Sequence, residues 1–156
     1  MILHLVTIVI AGSVIILDQI TKAIISTRLE PGKSIFILKD YVALSYVTNP
    51  GGAFGILGKW GGFFTVFSIG IIVLIIILLK GLPRSNHWLR VAFGLILGGA
   101  GGNLIDRLRI GEVIDFIDMG VGYWRWPAFN LADTCICLGV GMAAYHLYRA
   151  QSPEDS

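Results

Sequence analysis

Charge is scarce in this chain. Asp, Glu, Lys and Arg make up 14% of its 156 residues, against about 25% in an ordinary soluble domain. With 55% hydrophobic residues and a mean hydropathy of +0.78, a free-standing water-soluble globule is excluded. An excess of either sign is also missing. Twelve Lys and Arg against ten Asp and Glu give +2, and no basic stripe with interleaved aromatics occurs, so no nucleic-acid partner is expected. Cysteine is limited to Cys135 and Cys137. They lie two apart in an apolar segment, where helical geometry turns them away from each other, so a mutual disulfide is not expected. They say little about redox compartment.

What is present is long apolar runs. Residues 60–79 form a run of 20 without a charge, about 30 Å as a helix and enough to cross a bilayer. Residues 1–17 also lack Asp, Glu, Lys and Arg, and the apolar pattern continues past Asp18 and Lys22 to about Ile25. A secretory signal peptide needs a basic start and a small-residue cleavage site, and Met1-Ile2-Leu3-His4 offers no such start, so a retained helix is expected. Two uncharged runs, 91–105 and 134–148, are 15 residues each; to reach spanning length each must take in an aspartate at one end. The expectation is four membrane-spanning helices, at about 2–25, 60–79, 87–106 and 129–148.

Between the first two spans the pattern changes. Ser34 to Leu38 and Tyr41 to Val47 are rich in Ile, Val, Tyr and Phe around Lys39-Asp40, which reads as a β-hairpin. The fold class expected is therefore membrane all-α with a small extramembrane β-hairpin or sheet, at about 31–55. No repeat and no second domain are visible. One integral domain, 1–149, is expected, followed by a polar tail, 150–156, that contains Pro153.

Parity then sorts the polar residues. With four spans and both termini on one side, Asp18, Lys22, Asn49, Asn103, Asp106, Arg107, Asp115, Asn130 and Asp133 all fall on the far face. His4, His87 and His146 fall on the other. The positive-inside count does not decide which face is cytoplasmic: Lys80, Arg84, Arg90 and Arg149 on the near side oppose seven more dispersed cations on the far side.

Each polar residue has an ordinary structural role available. Asp18 and Lys22 are spaced as a helical ion pair. Asn130 with Asp133 three residues later matches a helix cap, Asp106-Arg107 suits an interface, and Asp115 suits a solvated loop. Small-xxx-small spacing at Gly94/Gly98 and Gly98/Gly102 is read as close helix packing. Shared location is what favours a site. A Ser or Cys nucleophile needs an imidazole within reach, and the histidines are a bilayer away; the same absence removes a conventional zinc site. Carboxylates remain. Two aspartates close together in a poorly solvated site cannot both ionise easily, so one keeps a proton while the other takes one from water, a pairing suited to hydrolysis of an amide bond.

The ordered series Asp18-Gln19-x-x-Lys22, Asn49-x-Gly51-x-Ala53-Phe54-Gly55, Gly98-Gly99-x-x-Gly102-Asn103-x-x-Asp106-Arg107, Val113-Ile114-Asp115-Phe116 and Phe129-Asn130-x-Ala132-Asp133 closely resembles the lipoprotein signal peptidase, or signal peptidase II, family. The resemblance runs from the first span to the fourth. It implies an aspartic endopeptidase of the bacterial inner membrane with cytoplasmic termini and its site at the outer, periplasmic face. The implied substrates are prolipoproteins whose cysteine already carries diacylglycerol, cleaved just before that cysteine. Carried over residue by residue, it makes Asp115 and Asp133 the catalytic dyad. Asn49, Gly51, Asn103, Arg107 and Asn130 would line the site, with Asp18, Lys22 and Asp106 in support. It further implies inhibition by globomycin-type peptides and contact with membrane lipid; no metal or cofactor is expected, and a monomer is. Gly52, where many relatives carry alanine, and Pro50 are small departures that do not touch the dyad. The competing expectations are a small transporter or ion-binding protein, which requires polar residues continuing through the spans, and a structural subunit that presents this face to a partner.

Overall fold

The computed structural model describes residues 2–51, 61–83 and 86–151. Ala53, Phe54 and Gly55 of the second motif, Trp60 at the expected start of the second span, Arg84 and residues 152–156 of the tail lie outside them. Four helices, α1 (Ile2–Arg28), α2 (Gly61–Gly81), α3 (His87–Ile110) and α4 (Leu131–Gln151), are joined by four strands, β1 (Ser34–Leu38), β2 (Val42–Asn49), β3 (Val113–Val121) and β4 (Trp124–Arg125). All four helices are long and apolar enough to cross a membrane, as the hydropathy pattern predicts.

The helix ends follow capping chemistry more than hydropathy. α1 runs three residues past Ile25, to Arg28, and there Ser26 and Thr27 donate their hydroxyls to the Ala23 carbonyl of the preceding turn. Pro31 and Gly32, which has φ +78°, follow its end. α3 starts on Asn86, whose Oδ1 accepts from the Leu89 N–H at 3.2 Å. It continues a full turn past Asp106 to Gly111, whose φ of +78° lets its N–H close on the Arg107 carbonyl; a side chain there would be strained. α4 begins at Leu131, not Phe129, because Asn130 is its cap: Asn130 Oδ1 accepts from Asp133 N–H at 2.9 Å while Asp133 Oδ2 accepts from Asn130 N–H at 3.3 Å, a reciprocal box. At the opposite end of the bundle, buried Arg90 turns its Nη2 onto the Leu82 and Pro83 carbonyls at 2.9 and 3.3 Å and closes the end of α2.

α3 is the central helix. In its most apolar window 61% of the residues are buried, against 17–22% in the other three, and α1, α2 and α4 all pack on it. The outward faces of α1, α2 and α4 carry exposed Ile8, Ile16, Val66, Ile77, Leu138 and Val140, the surface a bilayer requires. Glycines set the spacing. A Cβ added to Gly98 would meet Val14 Cβ at 2.6 Å, and one on Gly102 would meet Asp18 Oδ2 at 2.5 Å; a Cβ on Gly99 would run into the Ala132 carbonyl oxygen. The stripe thus lets α1 and α4 approach one face-pair of α3 closely, without a hydrophobic force to push them together.

The sheet is antiparallel throughout, in the order β1-β2-β3-β4. The β1–β2 hairpin lies where the sequence places it. The stretch that forms β3 and β4 is expected as loop from the sequence, and the signal missed was the apolar, β-branched-rich run Val113-Ile114-Asp115-Phe116-Ile117-Asp118, which two aspartates interrupt. β3 is a strand because β2 supplies a partner in register, with Asn49 opposite Val113 and Val47 opposite Asp115.

Gly98→Ala should therefore overpack the α1–α3 contact and cost about 1–3 kcal/mol. Gly141→Ala, where nothing lies within 4 Å of an added Cβ, should cost nothing measurable; thermal unfolding of the two variants in detergent is the comparison. Equal midpoints would show that the α1–α3 contact yields without penalty.

Candidate active site

A buried ion cluster lies at the end of the bundle where the sheet attaches. Lys22 Nζ contacts Asp18 Oδ2 at 2.8 Å, Asp106 Oδ2 at 2.7 Å and Asn103 Oδ1 at 3.0 Å, so all three ammonium protons are used. Lys22, Asp18 and Asp106 are each at most 3% exposed. The spacing that suggested a simple helical pair thus understates the contact. Asp18 Oδ1 also accepts from the Ala132 N–H in the first turn of α4, at 3.0 Å, a donor that no helical carbonyl can reach. Asp106 accepts from Gln19 Nε2 at 2.8 Å and from the Ile114 N–H of β3 at 3.3 Å. One cluster ties α1, α3, α4 and the sheet.

Above it run the asparagines. Asn103 Oδ1, already holding Lys22, also accepts from Asn130 Nδ2 at 3.1 Å, and Asn103 Nδ2 donates to Asp133 Oδ1 at 2.7 Å. Asn130 Nδ2 donates in turn to Asp115 Oδ1 at 2.8 Å. On its other oxygen, Asp115 accepts from Asn49 Nδ2 at 3.1 Å, and Asn49 is itself steadied by the Gly51 N–H at 3.1 Å. The result is a continuous chain, Asp115, Asn130, Asn103, Asp133, in which amides hold both carboxylates. Asp133 therefore caps α4 and faces the site at once; the two roles use different oxygens.

Both aspartates line one cavity of about 490 Å³, with Asn49, Asn103 and Arg107 as its polar wall and Trp126 to Phe129 with Thr134, Cys137 and Leu138 as its apolar wall. Cys137 is exposed there and Cys135 is buried; neither is in a disulfide. Arg107 is placed by α2, donating to Ser68 Oγ at 3.2 Å and lying 5.8 Å from the Phe64 ring centre. Asp115 is 3% exposed. Burial, and after it the charge of Asp133, push its carboxyl up to about 6, against the hydrogen bonds from Asn49 and Asn130 and the charge of Lys22. Among the described residues no three His, Cys, Asp or Glu are grouped to hold a metal ion.

Of the residues singled out in the sequence, Asn49, Asn103, Arg107, Asp115 and Asp133 meet at the cavity, Asn130 links the two carboxylates, Gly51 holds Asn49, and Asp18, Lys22 and Asp106 lie beneath. Asp115 sits on β3 and not in a solvated loop. Gln19 stands in the first motif but was given no role, and Ser68 was not singled out. Ser68 had a signal, as a hydroxyl within the most apolar helix.

The model of the family described as signal peptidase (SPase) II matches residues 10–149. The chain belongs to the signal peptidase II family. Proteins named lipoprotein signal peptidase resemble it along most of their length. That of Moorella thermoacetica is 40% identical, covering 86% of this chain and 87% of its own; that of Syntrophus aciditrophicus is 40% identical over 99% and 98%. That of the Janthinobacterium strain Marseille is 44% identical over 87% and 84%. A bacterial membrane enzyme structure determined by the in meso method superposes with a TM-score of 0.88 at 35% identity, covering 96% of this chain and 92% of its own. The protein is thus a multi-pass membrane protein of the signal peptidase II family.

Because Lys22 is the cation paired with two buried carboxylates, Lys22→Met should leave both without it and cost about 3–5 kcal/mol. The measurement is the thermal midpoint of the purified variant in detergent. A midpoint equal to wild type would remove Lys22 from the structural foundation of the site.

Proposed function

We propose that the protein is an aspartic endopeptidase that removes the signal peptide from diacylglyceryl-modified prolipoproteins, cutting just before the lipidated cysteine, with Asp115 and Asp133 as its catalytic dyad. The observation that carries this reading is the pair of carboxylates on one cavity, linked through Asn130 and Asn103, with Asp115 raised to about 6. The family membership supports the substrate class.

In this reading a water molecule enters between the carboxylates. The ionised aspartate takes one of its protons while the oxygen attacks the scissile carbonyl, and the protonated aspartate donates to the carbonyl oxygen. The tetrahedral intermediate collapses by breaking the C–N bond: the amine of the lipidated cysteine takes a proton from the newly protonated aspartate, a hydroxyl of the intermediate returns its proton to the other aspartate, and the signal peptide leaves as a free acid, with the dyad again holding one proton. The shared proton belongs to the pair and is assigned to neither residue. Asn49, Asn103 and Asn130 fix the carboxylates, and Gly51 fixes Asn49. Arg107, held by Ser68, offsets their negative charge. Asp18, Lys22 and Asp106 hold the elements beneath. The apolar wall from Trp126 to Leu138 receives the lipidated part of the substrate, and globomycin-type peptides inhibit by filling the same cavity. The termini lie in the cytoplasm and the cavity faces the outer side of the bacterial inner membrane, where the enzyme acts as a monomer and without a cofactor.

Purified wild type in detergent should cleave a diacylglyceryl-modified prolipoprotein, read as a gel shift. Asp115→Asn and Asp133→Asn should each lose at least roughly 10²–10⁴-fold in turnover, the range of acid–base contributions. Full turnover in either variant overturns the dyad, and an inactive wild type overturns the peptidase.

The same site fixes a pH dependence. An unfolded aspartate titrates near 3.9, and Asp115 titrates at about 6 when folded. The folded protein therefore binds more protons between those values, and this group's contribution to stability is present at low pH and lost as pH rises through about 6. The dyad loses its one-proton form in the same direction, so kcat/KM should have an alkaline limb beginning at about pH 6, measured over a pH series with matched thermal unfolding. A profile flat to pH 9 would contradict a shared proton.

A further inference from the structure

The sheet carries an apolar surface that extends beyond the cavity and shares Trp126 and Phe129 with its wall. β3 starts just past the end of α3, reaches the start of α4 at Ile117, which bridges to Phe129, and continues four residues to Val121. That is about 13 Å beyond α4 at 3.3 Å per residue. The chain then turns at Gly122, φ +57°, into β4. At this tip Val121 is 67% exposed, Trp124 82% and Trp126 62%, and Tyr123 is fully exposed. A groove of about 700 Å³ beside them is lined by Tyr41, Val42, Met119, Trp124, Trp126 and Phe129.

The tip turns its cation inward. Arg125 is paired with Asp118 at 2.8 Å, donates to the Asp40 carbonyl at 2.9 Å and lies 5.9 Å from the Phe36 ring centre. Next to it, joined by Gly120 N–H to the Tyr41 carbonyl at 2.8 Å, is the β1–β2 turn. There the edge strand β1 exposes Ile35, Phe36, Ile37 and Leu38 on both faces. In water an edge strand of this kind is an aggregation site, and so large an apolar patch marks an interaction surface.

We propose that the β3–β4 tip and the adjoining β1–β2 turn are seated in the headgroup and upper acyl layer of the membrane, and that bilayer lipid occupies the groove. Three observations select lipid over a protein partner. The patch is continuous with the bundle: β3 follows the end of α3 and Phe129 precedes the cap of α4, so the sheet is attached where the spans leave the bilayer. Its residue types are those of the membrane interface, aromatic rings with a polar edge. Lys39, at the turn beside them, has the reach to place its ammonium among headgroup phosphates. The consequence concerns the cavity. Asp115 lies on the same strand, six residues from Val121, so a lipid-seated tip fixes the depth of that carboxylate relative to the membrane surface.

The test uses the full chain in phosphatidylcholine and phosphatidylglycerol vesicles. With Trp60→Phe, Trp88→Phe and Trp126→Phe, Trp124 is the remaining tryptophan. Its emission should be blue-shifted, lose most of its intensity with lipids brominated near the top of the acyl chain, and resist iodide. Quenching by iodide as for free tryptophan, with no response to brominated lipid, overturns the proposal. An independent readout does not depend on the triple substitution. A spin label on Tyr123→Cys, in a chain with Cys135→Ala and Cys137→Ala, should be relaxed more by oxygen than by a water-soluble nickel chelate. The reverse order, or protection from both as under a protein partner, overturns it equally.

Discussion

The structure depends on one buried ammonium. Lys22 lies between Asp18 and Asp106 with Asn103 as its third acceptor, and these contacts join α1 to α3 at the end of the bundle where the sheet attaches. Two buried carboxylates alone would repel each other and carry a large desolvation cost. With Lys22 between them, Asp18 is free to take the Ala132 N–H of α4 and Asp106 to take the Ile114 N–H of β3. The charge cluster therefore holds the first turn of α4, which Asn130 caps, and the start of β3 against α1 and α3. Those are the two places from which Asp133 and Asp115 project.

That arrangement requires backbones close enough for short side chains to reach across. Asp18 contacts α4 only because Gly102 leaves room for its carboxylate and Gly99 for the Ala132 carbonyl. The glycine stripe and the ion cluster are thus one device read at two scales. Glycine removes side-chain bulk where helices meet, and the polar groups fill the space with hydrogen bonds that lipid cannot supply.

Much of this was legible in the sequence, for identifiable reasons. Uncharged runs reveal spans because the bilayer imposes length and apolarity on every helix that crosses it, and parity alone brought Asp18, Asn103, Asp115 and Asp133 to one end. The ends of the helices were less legible from hydropathy. Gly111 terminates α3 through a positive φ that hydropathy does not register, whereas the Asn130–Asp133 cap was readable from its spacing. β3 was hidden because its two aspartates break an apolar run; only the pairing with β2, far away in sequence, makes it a strand. Ser68 and Gln19 act by position, and a single sequence shows position only after the fold is known.

The hydrogen-bonded chain from Asp115 to Asp133 also resolves an apparent conflict between burial and reactivity. Burial and the neighbouring Asp133 charge favour the protonated form of Asp115. Asn49 and Asn130 donate to its ionised form, and the Lys22 charge acts in the same sense, which leaves the carboxyl at about 6. Lys22 is thus both a structural centre and a distant electrostatic partner: its charge reaches the site while its ammonium stays bonded to Asn103, the residue that also holds Asp133. A carboxyl poised near neutrality can exchange its proton in either direction with little driving force against it. The amides that donate to it cannot themselves titrate, so their share of the balance is set by the fold, while the contribution of the Asp133 charge changes as the shared proton moves.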